Sequence, residues 1–520
     1  MTGVERERKL RTATPVDPAA VAQAAMATGF VVASSSDAVH HDRYLDTAEG
    51  HLARADLALR LRTSPAGSVL CVKRGAGPGD EPFLARDEHE VAVDDATLPS
   101  RAAELPPVLR AHVEPWTFAR PLVVRMALDV DRVVHDVMRD GARAEICVDR
   151  VTIAAGANPR SPILHEIEIE HRAGPDDPLV ALADELQTRF AAAPSREDKL
   201  RAALIAVGEP LHEPAEGEPL TFAMPIEAAA FATFRRFFRA VQSHEAGTRL
   251  QSDVEDLHRI RVAVRKLRAA MRAFAGALPE GVLAPHRKLL GDTGRALGPA
   301  RDLDVLLANL ERLRAQVPDD LHGGLDEVAD ALREERAREQ ERMLKWLTTD
   351  RRLRAFARFE DFLARGPRER ADGLQLRQVA PGLVLQAAHR VFRRGRRLTP
   401  ADPAERYHQL RIDCKRLRYL LEVFRPLVGN ELDAVLQRLA RLQGVLGEFN
   451  DSDVAVRWLD AWTAKRGRRF ARTTLISVGA VIGAYAAQGR LALERFPDFW
   501  RRFSRARHRR RLQDVWLRSW

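Results

Sequence analysis

The chain predicts an α+β multidomain protein, an antiparallel-sheet half at the N-terminus followed by an all-helical half. Three observations carry this prediction. Residues 1 to about 205 contain the alternating segments Val4 to Lys9, Leu57 to Arg62, Ser68 to Lys73 and Ile163 to His171, separated by Gly, Pro and Asp turns; period two marks strands with two unlike faces. Beyond about residue 220, apolar positions recur every 3.6 residues amid dense Leu, Ala and Arg, the mark of long helices. Third, the helical half repeats itself. His258-x-x-Arg261-x-x-x-Arg265-Lys266-x-Arg268 returns as His408-x-x-Arg411-x-x-x-Lys415-Arg416-x-Arg418, and Leu297-Gly298-x-x-Arg301-Asp302-x-Asp304-Val305 returns as Leu446-Gly447-x-x-Asn450-Asp451-x-Asp453-Val454. The offsets are 150 and 149 residues, and two motifs sharing nearly one offset imply two structurally equivalent helical bundles.

At 520 residues the chain is too long for one core and predicts two to four domains. Residues 206–220 are acidic, proline-bearing and without period, as a linker is. The organisation read here is a sheet domain over 1–205, the linker over 206–220, a helical domain over 221–505 and a basic tail over 506–520. Lys and Arg outnumber Asp and Glu by 83 to 73, a net charge of +10, which favours polyanionic partners. The densest Arg runs fall after about residue 230. Three scattered cysteines, Cys71, Cys147 and Cys414, argue against a disulfide framework or a zinc knuckle and fit a reducing compartment. The first residues alternate Glu and Arg where a signal peptide needs an apolar core, so a cytoplasmic protein is expected. The uncharged runs Pro18 to Ser36 and Thr473 to Gly489 are too diluted by polar residues and glycine for a membrane span and read as buried structure.

In a strand, residues i, i+2 and i+4 share a face. Glu5, Glu7 and Lys9 therefore share one side, as do Arg60 and Arg62, Glu88 and Glu90, and Glu166, Glu168 and Glu170. The intervening Leu59, Leu61, Ile167 and Ile169 require a core, which sends the charged faces to solvent or into the lumen of a closed barrel. Four such strands gather seven carboxylates beside Lys9, Arg60 and Arg62. Carboxylate oxygens suit hard divalent cations such as Mg²⁺ or Mn²⁺, and Arg and Lys suit phosphate oxygens. The combination fits phosphoryl transfer.

Glu5-x-Glu7-x-Lys9 resembles the signature of the CYTH, or triphosphate tunnel metalloenzyme, superfamily. The likeness extends over about 200 residues through Tyr44-Leu45-Asp46-Thr47, Leu59-Arg60-Leu61-Arg62, Lys73, Glu88-x-Glu90, Arg125, Glu145-x-x-x-Asp149, Glu166-Ile167-Glu168-Ile169-Glu170 and Lys199. The resemblance implies an eight-stranded antiparallel β tunnel with flanking helices that hydrolyses triphosphates with a divalent metal, Mg²⁺ or Mn²⁺. It makes Glu5, Glu7 and Lys9 catalytic. The implied metal ligands are Glu5, Glu7, Glu168 and Glu170, with Glu166 an alternative. Lys9, Arg60, Arg62, Lys73, Arg125 and Lys199 would grip phosphates, Arg120 competing with Arg125 for one role, and Asp149 would bind metal or position a phosphate-binding cation. Adenylate cyclases and thiamine triphosphatases belong to the same superfamily.

On a helix turning 100° per residue, His258, Arg261, Arg265 and Arg268 lie within a wedge of about 80°. Leu257, Ile260, Val264, Leu267 and Met271 occupy the adjoining sector, so the stripe borders a buried face. The second copy places His408, Arg411, Lys415 and Arg418 beside Tyr407, Leu410, Cys414, Leu417 and Leu421. Two basic grooves are expected, able to neutralise a linear polyanion with salt-sensitive affinity. Nucleic acid is not the expected partner: the stripes lack interleaved aromatics, and no helix-turn-helix or zinc pattern occurs. Both motifs resemble the CHAD domain, named for its histidines, over roughly residues 221 to 505. That resemblance implies two four-helix bundles around a basic pore or cleft that binds inorganic polyphosphate through these residues together with Lys266 and Arg416, often at polyphosphate granules. Asp302, Asp304, Asp451 and Asp453 are expected to brace arginines, since their charge repels phosphate. The leading expectation is an inorganic triphosphatase joined to a polyphosphate-binding domain. The alternatives are a non-catalytic polyphosphate-binding protein, or a tunnel enzyme acting on ATP as a cyclase or on thiamine triphosphate.

Overall fold

A computed structural model describes residues 2–74, 83–94, 97–154, 164–208, 219–251, 254–367, 373–399 and 401–517. The chain divides into two compact units, Met1–Ala215 and Glu216–Trp520. Most of the expected linker lies outside the described residues.

The first unit holds strands β1 (Thr2–Thr12), β2 (Val31–Asp46), β3 (Leu57–Ser64), β4 (Gly67–Arg74), β5 (Leu84–Val93), β6 (Val123–Arg139), β7 (Ala142–Ile153), β8 (Leu164–Ala173) and the short β9 (Ala193–Ser195). Its helices are α1 (Pro18–Ala27), α2 (His51–Arg54), α3 (Pro107–Thr117), α4 (Asp177–Arg189) and α5 (Lys199–Ala206). The strands run in the order β5-β4-β3-β2-β6-β7-β8-β1, and β1 pairs back to β5 from Thr2↔His89 to Glu7↔Leu84. Every pairing is antiparallel, so the sheet closes into an eight-stranded barrel, with β9 lying against the far half of β1.

Closure follows from the alternation. The outward residues Leu10, Ile146, Ile167 and Ile169 are buried under α1 and α4, whose Val21, Ala24, Leu179, Leu182 and Leu186 cover them. On the other flank Leu59, Leu61, Leu70 and Val72 pack against Leu52 of α2 and Leu109, Val113 and Trp116 of α3. With the apolar faces taken by helices, the charged parity can only face the lumen. One stretch of the lumen is apolar: Tyr44, Met126, Leu128, Val130, Val151, Ile153 and Leu164 pack with Ala203 of α5. The run expected to be wholly buried at Pro18 to Ser36 is split, α1 burying Val21, Ala24 and Ala25 while the start of β2 is exposed, Val31 at 61%.

The second unit is helical: α6 (Ile226–Ser243), α7 (Glu245–Leu250), α8 (Val254–Ala273), α9 (Ala284–Ala296), α10 (Gly298–Arg314), α11 (His322–Leu347), α12 (Asp350–Arg365), α13 (Leu376–Gly395), α14 (Ala404–Val428), α15 (Asp433–Arg466), α16 (Arg472–Phe503) and α17 (Ala506–Leu517). The duplication is visible in the helix starts. α6 and α13 begin at 226 and 376, α8 and α14 at 254 and 404, α9 and α15 at 284 and 433, and α11 and α16 at 322 and 472. The single α15 corresponds to α9 plus α10, because Pro299 occupies the first turn of α10 where the second copy has Glu448, and proline lacks the N–H that would continue a helix.

Two bundles form, but each draws helices from both copies. α6 and α8 pack with α13 and α14, while α10 and α11 pack with α15 and α16 around Leu303, Leu310, Leu325, Leu332, Leu459, Trp462, Val481 and Tyr485. Residues 506–517, read from sequence as a basic tail, form α17, whose Leu512 and Trp516 are buried, with Trp516 edge-on to Phe424. Its arginines are interleaved with apolar residues at helical spacing, which gives it a face to bury. The run within α16 expected to be too weakly apolar for a membrane span needs correction: among the described residues α16 is the one helix long and apolar enough to cross a membrane, its best window having mean hydropathy 1.3. Its Val478, Val481 and Tyr485 are buried in the helical core just described.

Candidate active-site tunnel and basic cleft

The lumen encloses about 560 Å³ lined by Glu5, Lys9, Arg60, Arg62, Lys73, Arg86, Glu88, Glu90, Arg132, Glu145, Glu168, Glu170 and Lys199. Register places them there. Lys9 is paired with Glu168 across β1 and β8, Glu168 with Cys147 across β8 and β7, and Asp149 with Arg132 across β7 and β6. Nearly every candidate from the sequence converges. Lys9 Nζ lies 3.3 Å from Glu7 and 2.5 Å from Glu168. Lys73 pairs with Glu5 and stands 3.7 Å from Glu7 and 3.8 Å from Glu88. Lys199, at the first turn of α5, reaches Asp149, Glu166 and Glu168 at 3.0, 2.9 and 2.7 Å. Arg62 holds Asp42 with two hydrogen bonds of 2.7 and 2.8 Å, and Arg60 lies 3.8 Å from both Glu88 and Glu90.

Arg125 is the exception. Its guanidinium leaves the lumen and donates to the carbonyl of Ala48 at 2.5 Å. It sits at an odd position of β6, whereas the lumen parity is even, carried by Met126, Leu128, Val130 and Arg132. The cation β6 supplies is Arg132, which grips Asp149 at 2.7 and 2.6 Å, pairs with Glu168 and reaches Glu170 at 3.4 Å. Its parity with Met126, Leu128 and Val130 puts it on an apolar face of the strand, so the sequence did not mark it as a lumen residue. Arg86, 2% exposed and 3.0 Å from Glu7, was missed likewise, although it shares a face with Glu88 and Glu90.

The electrostatics are those of buried, interleaved charge. Burial would raise Glu168, but Lys199, Lys9 and Arg132 overcome it and hold the carboxyl well below its ordinary range. Asp149 is likewise lowered against its burial by Arg132 and Lys199. Glu166 moves up, burial outweighing Lys199 and Lys9. Glu170 is pushed up to about 7 by burial, Arg132 opposing and Glu168 and Glu5 assisting. Burial works against Lys73, but Glu7, Glu5 and Glu88 raise it.

The donor set fits a hard cation. Ligand atoms of Asp149, Glu166 and Glu168 lie within 4.8 Å of one another. Glu7 Oε1 lies 3.0 Å from Arg86 Nε and Glu166 Oε1 3.6 Å from Arg11 Nε, both without hydrogen-bond geometry, so both oxygens keep acceptor capacity that suits a bound cation. Lys199 already sits on the Asp149, Glu166 and Glu168 trio. Cys71, Glu88 and Glu90 form a second group with ligand spacing, the Cys71 thiol donating to Glu88 at 3.0 Å.

In the helical unit the two expected grooves are one. α8 and α14 pack on each other, joined by Lys266 and Glu422 at 2.8 Å. Arg265 of α8 consequently lies beside Arg411 and Lys415 of α14. Burial, then Arg411 and Arg265, lowers Lys415 to about 8. Arg261 donates to Leu297 O at 2.9 Å and to Asp302 at 3.1 Å, and Arg411 to Asp451 at 3.3 Å, so these two aspartates brace stripe arginines. Asp304 and Asp453 pair instead with Arg336 and Arg457. His408 bonds Asn450 at 2.6 Å, while His258 is lowered by burial and then by Arg301. Arg418 donates to Gln443 at 2.9 Å, and Arg416 lies 3.5 Å from Asp413.

Sequence-family comparison matches the CYTH domain over residues 4–203 and the CHAD domain over 232–460. No curated protein matches the chain. Among solved structures, the CHAD domain from the plant Ricinus communis is 25% identical, covering 55% of this chain and 95% of its own, with TM-score 0.47. PptA from Streptomyces chartreusis is 19% identical, covering 54% and 100%, with TM-score 0.42. HpAC1 from Hippeastrum, reported to have a dominant triphosphatase activity, is 20% identical, covering 40% and 97%, with TM-score 0.29. The closed strand barrel and the duplicated helical half thus coincide with the two matched regions, and the chain belongs to the CYTH and CHAD families, one domain of each in that order.

Proposed function

We propose that the tunnel hydrolyses inorganic triphosphate or a related triphosphate with Mg²⁺ or Mn²⁺, and that the helical domain binds polyphosphate. The observation that carries this reading is a closed lumen in which buried carboxylates and cations alternate within 2.5 to 3.7 Å of one another. Glu5, Glu7, Glu168 and Glu170 would hold the metal, which when bound neutralises charge on the phosphate oxygens. Each of these carboxylates is now balanced by a protein cation. Lys9, Lys73 and Arg132 exchange those partners for phosphate oxygens as substrate enters, with Arg60 and Arg62 extending the grip. Water attacks the terminal phosphorus, the P–O–P bond breaks, and diphosphate leaves into the same cationic lumen. Lys199 remains on Asp149 and Glu166 as a fixed counter-charge, a positioning residue.

The merged stripe of α8 and α14 supports polyphosphate as its ligand, since Arg265, Arg411 and Lys415 face one another with Asp302 and Asp451 at the margins. A cytoplasmic setting and an association with polyphosphate granules follow from this reading. The test is phosphate release from tripolyphosphate, ATP and thiamine triphosphate with Mg²⁺ or Mn²⁺, for the intact protein and Glu7→Gln. Metal-dependent release from tripolyphosphate, lost in the variant, is the expected result. Preference for ATP or thiamine triphosphate would reassign the substrate, and no turnover beside salt-sensitive polyphosphate binding would leave a receptor.

A further inference from the structure

The basic stripe on α8 does not stop at Arg268. One turn on, Arg272 continues it, and these two residues face Arg287 and Lys288 of α9 across an open pocket of about 340 Å³. Arg416 of α14 acts on the same place. Two carboxylates touch this group: Asp292, 3.2 Å from Lys288 and paired also with Arg295, and Asp413, 3.5 Å from Arg416. Among the described residues Arg268, Arg272 and Arg287 have no ion-pair partner. Burial holds Arg272 below the usual arginine range, and Arg268, Arg416 and Arg287 lower it further. Like charges gathered this way raise the energy of the protein until an anion joins them.

The equivalent place in the second copy is built differently. Applying the repeat offsets, Glu422 stands for Arg272, Leu436 for Arg287 and Gln437 for Lys288. Arg418, the counterpart of Arg268, is pinned by Gln443 at 2.9 Å and Glu422 at 3.0 Å. Gly294 stands where Gln443 does, and a Cβ there would lie 3.5 Å from the Arg268 guanidinium. One copy has neutralised the site and the other has left it open.

We propose that this pocket is a terminal-phosphate subsite, built in the first copy only, that anchors one end of a phosphate chain whose body lies along the merged stripe. The proposal rests on the polyphosphate reading of the cleft. A terminal phosphate carries more negative charge than an internal one, because it has a second ionisable oxygen, so a carboxylate-poor group of cations at the end of a stripe selects it. A chain held this way lies in one direction.

The test uses the full chain with a chelator present to prevent hydrolysis. It compares wild type with Arg272→Glu/Arg287→Leu/Lys288→Gln, three positions lining the pocket given the residues of the second copy. The ligands are long-chain polyphosphate with free ends and the same chains with both ends converted to monoanionic amidates. Because the tunnel also meets chain ends, the decisive comparison is between the two proteins. Free-ended chains are expected to bind the triple variant roughly tenfold more weakly, and end-blocked chains to bind both proteins alike. Equal binding of free-ended chains, or equal loss for both chain types, overturns the subsite while leaving the polyphosphate reading in place. Wild-type protein that binds neither chain removes that reading and the subsite with it. Arg272→Glu alone serves the same comparison should the triple variant fold poorly.

Discussion

The tunnel and the cleft use the same cationic side chains in opposite company. In the tunnel each cation is buried against carboxylates, as Lys199 is against Asp149, Glu166 and Glu168. In the cleft Arg265, Arg411 and Lys415 face one another, and their aspartates brace them from the margins. Alternating charge can exchange partners, its carboxylates passing to a metal as its cations pass to phosphate, and so can support chemistry. Same-sign charge can hold an anion and do nothing further to it. The difference lies in the carboxylates, which the tunnel interleaves and the cleft sets aside.

That contrast breaks hardest at Arg132. Arg132→Ala leaves Asp149 and Glu168 buried without one of their cations, and should cost about 3–5 kcal/mol of stability in thermal melting. It should also lower kcat/KM for tripolyphosphate by about 100-fold. A protein as stable and active as wild type would remove Arg132 from the site. Arg265→Ala tests the cleft: polyphosphate affinity should fall about tenfold and the slope of log affinity against log salt should shrink by roughly one, with triphosphate turnover unchanged. Two independent grooves would instead show only half of the sites affected.

A smaller effect sharpens the contrast through pH. Lys415, lowered to about 8 by burial and by Arg411 and Arg265, is charged below that pH and neutral above it. Polyphosphate affinity should therefore fall roughly fivefold as pH rises through 8, where an ordinary lysine would stay charged, and binding near pH 8 should take up protons. Lys415→Arg should flatten the profile; a wild-type profile already flat from pH 7 to 9 would refute the assignment. The smallest effect belongs to Arg125→Ala, outside the lumen on β6, which should change stability by under about 0.5 kcal/mol and leave turnover intact. Loss of activity equal to that of Arg132→Ala would restore the residue to the phosphate grip.

Much of this was legible in the sequence for local reasons. Glu5-x-Glu7-x-Lys9 and Glu166-x-Glu168-x-Glu170 declare a charged face because a strand sorts its residues by parity within five positions. The stripes on α8 and α14 were readable because a helix repeats its faces every three or four. Arg132 escaped because two arginines seven residues apart on β6 occupy opposite faces, and only the pairing of Arg132 with Asp149 says which face is the lumen. The single cleft escaped because a repeat states that two units are alike and not how they pack.

By itself the sequence determined that one half would be strands with apolar and charged faces and that the other would be duplicated helices. These are consequences of spacing along a short stretch of chain. Tertiary structure alone decided that β1 returns to β5 and closes the lumen, that Arg132 and not Arg125 enters it, and that each helical bundle takes helices from both copies. Those outcomes join residues far apart in the chain, where the choice among partners rests on which arrangement buries every apolar face at once.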